Sequence, residues 1–590
     1  MFPVGMIGKI DRQRRNAHDN QSYLHPRMAS PQSVLPCDTR LTLLKGKPML
    51  KILMTPLCLA LILTGCGQSD TPPPHIEVAP LSVTVLASGA NIAGANGINF
   101  SPDNQLYIAS VVGSNITVID PDSGAIVRRL GTAEGVTGPD DIAFGPDGSY
   151  FWTSILTGEV AGFNKDGERV VAAQLTPGVN PITFSDNGRL FVSQCFFGTG
   201  LFEIDPLGVE PARVIAEDLG PGCGLNGMDW GPDNRLYGPR WFTGEIVSFD
   251  VDSKEMRVEA VGFQTPAAVK FNSKGELHVL DTGTGEVFRL DTKERDGRIL
   301  IATLTPGLDN FAFDKTDRLF VSSFIDGFIK RIEADGSLTT LQPGGMGHPG
   351  GITLFKGELV VADLNAIRFF DPMTGDETRI HRNILGVGKV GGAMNLAADG
   401  EHLILASWVD SDIRVWDPAS GEIIERYSNL QGPVAAVRFD NQLIATEAGT
   451  GRVISLSKTG IKTLFSLPSP SGLVVGNNAL YVTDRESGSI YQLGKNDVLM
   501  PEPMLVISGL TTPEGIALDG EGFIVVEGST GEIKRISAAG TQTLLATIPA
   551  GTPAPSNQQP PSMVFNGVAL GLNGTIYTTG ETSRKLYKIM

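Results

Sequence analysis

The chain has 590 residues, which exceeds one ordinary domain, and its 71 glycines and 38 prolines follow no fixed period; this excludes collagen and fits a turn-rich all-β protein. The net charge is −17, and beyond residue 66 there are 38 Lys/Arg against 61 Asp/Glu, a net −23. A body this acidic argues against nucleic acid as a partner.

Residues 1–48 show no periodicity and read as a non-native or disordered extension, with Met49 as the true initiator. Residues 49–66 begin Met-Leu-Lys, continue as an apolar run from Ile52 to Leu63 and end Thr64-Gly65-Cys66. A basic start, a short apolar core and small residues at the end make a signal peptide, and the run is too short to span a bilayer comfortably. Leu63-Thr64-Gly65-Cys66 resembles the bacterial lipobox. That resemblance implies lipidation of Cys66 and an exported protein that touches the membrane only through its lipid anchor. Gly67 at the next position points to the outer membrane, facing the periplasm. Residues 67–80, with prolines at 72–74, read as a tether.

From Asn96 a unit recurs: a polar or small residue, a short apolar strand, an Asp/Asn/Gly turn, then further strands. Its copies open at Asn96, Asp140, Asn180, Asn226, Ala267, Asp309, Gly350, Gly392, Ala435, Ser471, Glu514 and Asn566, a period of about 43 residues. Several short strands per unit at this spacing indicate a β-propeller. In the first unit the strands fall at Gly97–Phe100, Leu106–Ser110, Ile116–Asp120 and Ile126–Leu130, here named A to D from the inside outward. Twelve units in one ring would leave a wide hole. The expected fold is therefore all-β, two consecutive six-bladed β-propellers over 81–335 and 336–590, each closed by a 3+1 strand latch. In this reading the lone strand Leu81–Leu86 completes the sixth unit, and Leu338–Gln342 completes the twelfth.

The D–A and B–C loops share one face of each disc, and residues that open the A strands point into its centre there. In the first disc Asn96, Asp140, Asn180, Asn226 and Asp309 carry side-chain oxygens, and only Ala267 does not. Carboxylate and amide oxygens around one axis suit a single hard cation, calcium or magnesium; the plainer reading is that Asn and Asp satisfy turn geometry. In the second disc only Glu514 and Asn566 are strong ligands. The last residues of the B strands rise beside the centre. Among them Asp281 is a candidate base for a metal-bound water and Arg240 a candidate oxyanion or substrate-acid partner, unless Asp281 merely caps its own loop. The second disc's counterparts, Asp363, Ser407, Glu447, Asp484, Glu527 and Gly580, read as a solvated acidic face or a weak cation rim. Cys195 and Cys223 lie on loops of adjacent units and are expected to form a disulfide in an oxidising compartment. His348, before the seventh unit, reads as a packing residue, and 548–562 as a loop rich in Pro and Gln.

Units such as Leu225-Asn-Gly-Met-Asp-Trp-Gly-Pro-Asp-Asn-Arg-Leu-Tyr237 resemble the senescence-marker/gluconolactonase family. The resemblance implies a six-bladed propeller with a central divalent cation held by Glu, Asn and Asp, hydrolysing lactones or related esters. Only Asn226 falls on the family's Asn-Gly ligand motif; the opening Glu-Gly-Pro is missing, and Ala267 replaces the aspartate of its Pro-Asp-Gly. Thr512-Pro-Glu-Gly-Ile-Ala-Leu518, followed by Gly531-Glu-Ile-Lys-Arg-Ile536, is also similar to streptogramin-lyase and NHL-type repeats. Gly-x-Ser-x-Gly, His-Glu-x-x-His, Cys-x-x-Cys and a phosphate loop are absent, against serine hydrolase, zinc protease and nucleotide chemistry. Two readings remain: a monomeric metal-dependent lactone or ester hydrolase, and a non-catalytic scaffold that binds an envelope protein or glycan.

Overall fold

The computed structural model describes residues 81–291, 297–549 and 565–590. The extension, signal peptide, Cys66 and tether lie outside them, as does most of the 548–562 loop. Within them the chain forms twelve four-stranded antiparallel sheets and one short 3-10 turn, Thr132–Glu134. The sheets are numbered here in the order of their inner strands, Ile98–Phe100, Pro139–Phe144, Val179–Phe184, Asp229–Trp230, Pro266–Phe271, Leu308–Phe313, Pro349–Phe355, Ala393–Asp399, Pro433–Phe439, Pro470–Gly476, Pro513–Asp519 and Val568–Leu570. This is a β-propeller architecture, with the repeat read from the sequence mapping one unit to one sheet.

The alternation within each strand decides the packing. B and C strands are buried on both faces, as in Leu106–Ser110 and Asn115–Ile119, while the outermost strand Ile126–Leu130 is largely exposed. Apolar residues on facing sheets then meet. Tyr107, Ile116 and Val118 of sheet 1 pack with Ile142, Trp152 and Ala161 of sheet 2, and Ile444 and Val453 of sheet 9 pack with Leu480, Val482 and Leu493 of sheet 10. The core is thus a series of seams between neighbouring sheets.

A second set of links joins the inner ends. The hydroxyl just before the last B-strand residue donates to the carbonyl that opens the next A strand: Thr153 to Asn180, Thr446 to Ser471 (2.8 Å) and Thr483 to Glu514 (2.9 Å). The same bond runs from Ser322 of sheet 6 back to Asn96 (2.6 Å), and from Thr579 of sheet 12 back to Gly350 of sheet 7. Inner strands approach closely here. Gly97 N donates to Asp140 O at 2.7 Å, and a Cβ on Gly97 would fall 2.6 Å from the Asp141 Cα, so only glycine fits.

The latch expected from the sequence is corrected. Leu338–Gln342 pairs with Ile329–Ile332 and completes sheet 6, whereas Val83–Ser88 pairs with Lys585–Ile589 and completes sheet 12. Sheet 6 is therefore four consecutive strands, and only sheet 12 combines three strands with a distant fourth. The reason is local. Glu333–Ser337 forms a tight turn, with Glu333 N donating to Ser337 O and Gly336 N to Glu333 O. Closing so short a loop costs little entropy, so the nearest strand takes the free edge of sheet 6. The expected boundary at Asp335-Gly336 falls inside this hairpin. The edge of sheet 12 is left to the N-terminal strand, and Ser82 and Met590 exchange backbone hydrogen bonds at its end.

The two halves consequently exchange chain twice, before sheet 1 and after sheet 6. Arg368 of sheet 7, 1% exposed, is bound there by Asp326 of sheet 6 (2.9 Å), by Asp363 (2.6 Å) and by Glu377 (2.8 Å). Arg382 reaches the other oxygen of Asp326, and Trp241 Nε1 donates to Leu385 O. A chain that starts at Ala90 lacks the outer strand of sheet 12. Hydrogen exchange is expected to lose amide protection first in Ile576–Gly580 and Lys585–Ile589, with Leu319–Ser323 and Ile329–Ile332 retained; the opposite pattern would restore the latch read from the sequence.

Candidate functional site

The twelve inner ends carry two distinct polar centres. In sheets 1–6, Asn96, Asp140 and Asp309 come together: Asn96 Nδ2 donates to Asp309 Oδ1 at 3.5 Å, while Asn96 Oδ1 accepts from Val111 N. Burial, then the Asp309 and Asp141 carboxylates, push Asp140 well above the usual carboxylate range. Burial, then Asp141, push Asp309 up to about 8, with the Asn96 amide pulling the other way. Among the described residues, the side chains of Asp140, Asn180 and Asn226 have no hydrogen-bond partner, although Asp140 and Asn226 are only 4% and 7% exposed. The three residues open successive units of the repeat.

Behind them lies a layer that the sequence reading passed over, because it sits one or more residues past each opening position. Asp141 accepts from Asn310 Nδ2 (3.3 Å) and from Ile182 N (3.3 Å). Burial raises Asp141 and Asp229, and Lys270 counters both. Lys270 itself donates to Met228 O. No cationic side chain lowers Asp140 or Asp309. The oxygens on offer, two carboxylates and three amides, are hard donors that fit a calcium-like ion and not zinc. Among the described residues no three His, Cys, Asp or Glu groups are gathered as they would be around a metal, so Asp140 and Asp309 are the only charged members of the set.

Asp281 and Arg240 do not join this centre. Asp281 accepts backbone N–H groups from Gln264 (2.6 Å), Thr265 (2.9 Å) and Gly283 (2.9 Å), so its carboxylate is consumed in holding two loops and is not a free base. Arg240 is held by Glu245 at 3.2 Å, the residue paired with it on the adjacent strand. Asp281 thus follows the plainer of its two readings, a cap on its own loop, and Arg240 is paired across its own hairpin. The same clamp recurs. Asp363 holds the amides of Gly347 and His348, Glu447 that of Gln431, Asp484 those of Ser469 and Ser487, and Glu527 those of Thr511 and Thr512. At some B-strand ends a hydroxyl or amide donates to a loop carbonyl instead, as Ser323 does to Gly307 and Gln194 to Thr176, while Ser407 accepts from Asp410 N. The acidic rim expected in solvent is buried and holds the D–A loops.

Cys195 and Cys223 form the expected disulfide. It joins the loop after Leu190–Gln194 to the segment before Asp229–Trp230, beside Trp241, Phe196 and Phe242.

In sheets 7–12 a continuous chain of polar groups crosses four inner ends. Arg485 Nη2 lies 3.0 Å from Glu514 Oε1. Glu514 Oε2 accepts from Asn566 N and Nδ2, both at 2.9 Å. Asn566 Oδ1 accepts from Glu581 N at 3.3 Å, and Glu581 Oε1 lies 2.6 Å from His348 Nε2. Glu514 and Asn566 were legible as opening residues. Arg485 and Glu581 were not, because each follows the B-strand end by one residue, and His348 is a charge partner and not only packing. Burial opposes a charge on His348, but the Glu581 carboxylate outweighs it and raises the imidazole above its ordinary value; Asp363 adds to this and Arg584 opposes it.

Two outcomes are expected. Asp281→Ala leaves three backbone amides without their acceptor, that of Thr265 buried, and lowers unfolding free energy by about 2 kcal/mol in urea denaturation, with Asp281→Asn losing less. The raised His348 contributes stability that is full below the unfolded histidine value of about 6.5 and is lost as pH rises through the higher folded value. His348→Gln therefore flattens the fall of the urea midpoint with rising pH.

No family model matches the chain, and no curated protein matches it. Among solved structures it is similar to a streptogramin B lyase, at 17% identity and a TM-score of 0.36 over 48% of this chain and 95% of the lyase. It is also similar to a gluconolactonase of Xanthomonas campestris, at 19% identity and a TM-score of 0.34 over 42% of this chain and 89% of that protein.

Proposed function

We propose that sheets 1–6 and sheets 7–12 form two six-bladed β-propellers, and that the first holds one calcium or magnesium ion at its centre and hydrolyses a lactone or ester there. The observation that carries this reading is the pair Asp140 and Asp309, both raised without a cation to balance them, in a ring whose other opening residues Asn180 and Asn226 have side chains without hydrogen-bond partners. An ion bound among these oxygens supplies Lewis acidity to the ester carbonyl and to water. Asn96, Asp140, Asn180, Asn226 and Asp309 hold it. With Asp281 and Arg240 committed elsewhere, a proton leaving the attacking water has only Asp140 or Asp309 to accept it among the proposed ligands.

The same reading places the protein in the cell envelope, lipidated at Cys66 and facing the periplasm; a disulfide suits that oxidising compartment. The 15 residues from Cys66 to Leu81 reach at most about 50 Å when extended. They lead into Val83–Ser88, the outer strand of sheet 12.

After dialysis, one equivalent of calcium or magnesium is expected by elemental analysis, and calcium at 100 times its Kd is expected to add about 2.7 kcal/mol of stability. Asp140→Asn and Asn226→Ala each lose that stabilisation and lower lactone hydrolysis by about 100-fold or more. A metal-free protein whose melting temperature ignores calcium instead identifies the first propeller as a scaffold for an envelope protein or glycan.

A further inference from the structure

The inner ends of sheets 10, 11, 12 and 7 concentrate unsatisfied polar atoms. Ser471 Oγ and Glu581 Oε2 are buried with no hydrogen-bond partner, and Glu514 Oε1, Glu581 Oε1 and His348 Nε2 meet their neighbours charge to charge without a well-directed hydrogen bond. Glu514, Glu581 and Ser471 are 0%, 2% and 1% exposed. Bare atoms of this kind, gathered at one end of four neighbouring sheets, are costly unless a polar group reaches them.

The loops that carry the groups are rigidly held. Arg485 N donates to Ser469 O, while Asp484 accepts from Ser469 N and Ser487 N on either side. Glu581 follows Thr579, which is tied to Gly350, and its own amide is tied to Asn566. At Gly528 a Cβ would fall 2.2 Å from Glu514 Oε1, so the absence of a side chain there lets Glu514 keep its place. The positions are therefore set before any ligand arrives.

The charges select the ligand. Glu514 already faces Arg485 and Glu581 already faces His348, so a metal ion would have to displace two cations, and a dianionic phosphate would bring two charges against two carboxylates where a monocarboxylate brings one. Arg485 is 38% exposed and spends one of its guanidinium nitrogens on Glu514, leaving further N–H donors in the fork geometry that suits a carboxylate. Glu581 Oε2 and Ser471 Oγ can accept from a neutral O–H. We propose that this end of the second propeller binds a small hydroxy acid, its carboxylate on Arg485 and its hydroxyl on the Glu581–His348 pair. The site is separate from the first-propeller centre and stands whether or not an ion binds there.

The test follows the His348 Cε1–H signal by NMR, assigned by its loss in His348→Gln, while L-lactate or D-gluconate is added to the whole protein. A saturable shift is expected with at least one of the two, and propionate, which lacks the hydroxyl, binds about tenfold more weakly or worse. Arg485→Gln weakens hydroxy-acid binding by about tenfold or more, Arg485→Lys recovers part of it, and an unchanged His348 signal in the free variant shows that the fold is intact. Glu581→Gln removes the high titration of His348 together with the binding. Asp140→Asn, which disables the proposed ion site, leaves the shift as it was. The proposal is overturned if neither hydroxy acid gives a saturable shift, if propionate binds equally well, or if Arg485→Gln binds as the parent does.

Discussion

Buried backbone at the inner ends of the sheets is the constraint from which the rest follows. Each inner strand begins where the chain turns in from a loop, and its first amides and carbonyls are shut away from water. They must find partners inside the protein. The B strand supplies them: a hydroxyl on Thr153, Ser322, Thr446, Thr483 or Thr579 takes the carbonyl that opens the next inner strand, and the residue after Ser322, Thr446 or Thr483 takes the loop of its own sheet. Asp281, Asp363, Glu447, Asp484 and Glu527 are carboxylates for this reason, since one carboxylate can accept from two or three amides at once. Acidic residues near a centre are thus explained by backbone and not by chemistry.

That division of labour leaves the opening side chains free. Because neighbouring hydroxyls and amides satisfy the backbone of Asp140, Asn180 and Asn226, their side chains need do nothing for the fold, whereas Asn96 still holds Val111 N. The two halves use this freedom differently. Sheets 1–6 gather carboxylates and amides with no cation near Asp140 or Asp309. Sheets 7–12 balance each carboxylate with its own cation, Glu514 with Arg485 and Glu581 with His348. One centre has carboxyl groups with no cation beside them, held above their usual range, and the other pairs each carboxylate with a cation, and the difference in chemistry follows from where the positive side chains stand.

The placement of the N-terminal strand gives the chain a further property. Val83–Ser88 closes sheet 12 and Leu338–Gln342 closes sheet 6, so the halves are joined by two crossings in place of one linker. Arg368 bridges them through Asp326 with almost no exposure to water. Removing one partner of such a buried pair costs about 3–5 kcal/mol, so the joint behaves as part of the core.

The sequence by itself determined the repeat, the twelve sheets, the seams between them and the pairing of Cys195 with Cys223, because strand alternation and turn residues are local signals that recur every unit. It also named Asn96, Asp140 and Asp309, whose place in the repeat put them at the inner ends. Only the tertiary structure decided which distant strand closes which sheet, since two free edges and two free strands fit either way until the short turn at Glu333–Ser337 is seen to favour the nearer pairing. It alone showed Asp281 spent on three amides, Arg240 held by Glu245, and His348 facing Glu581 across more than two hundred residues of sequence. Those contacts depend on which side chain meets which across neighbouring sheets, and the periodicity of one strand carries no record of that.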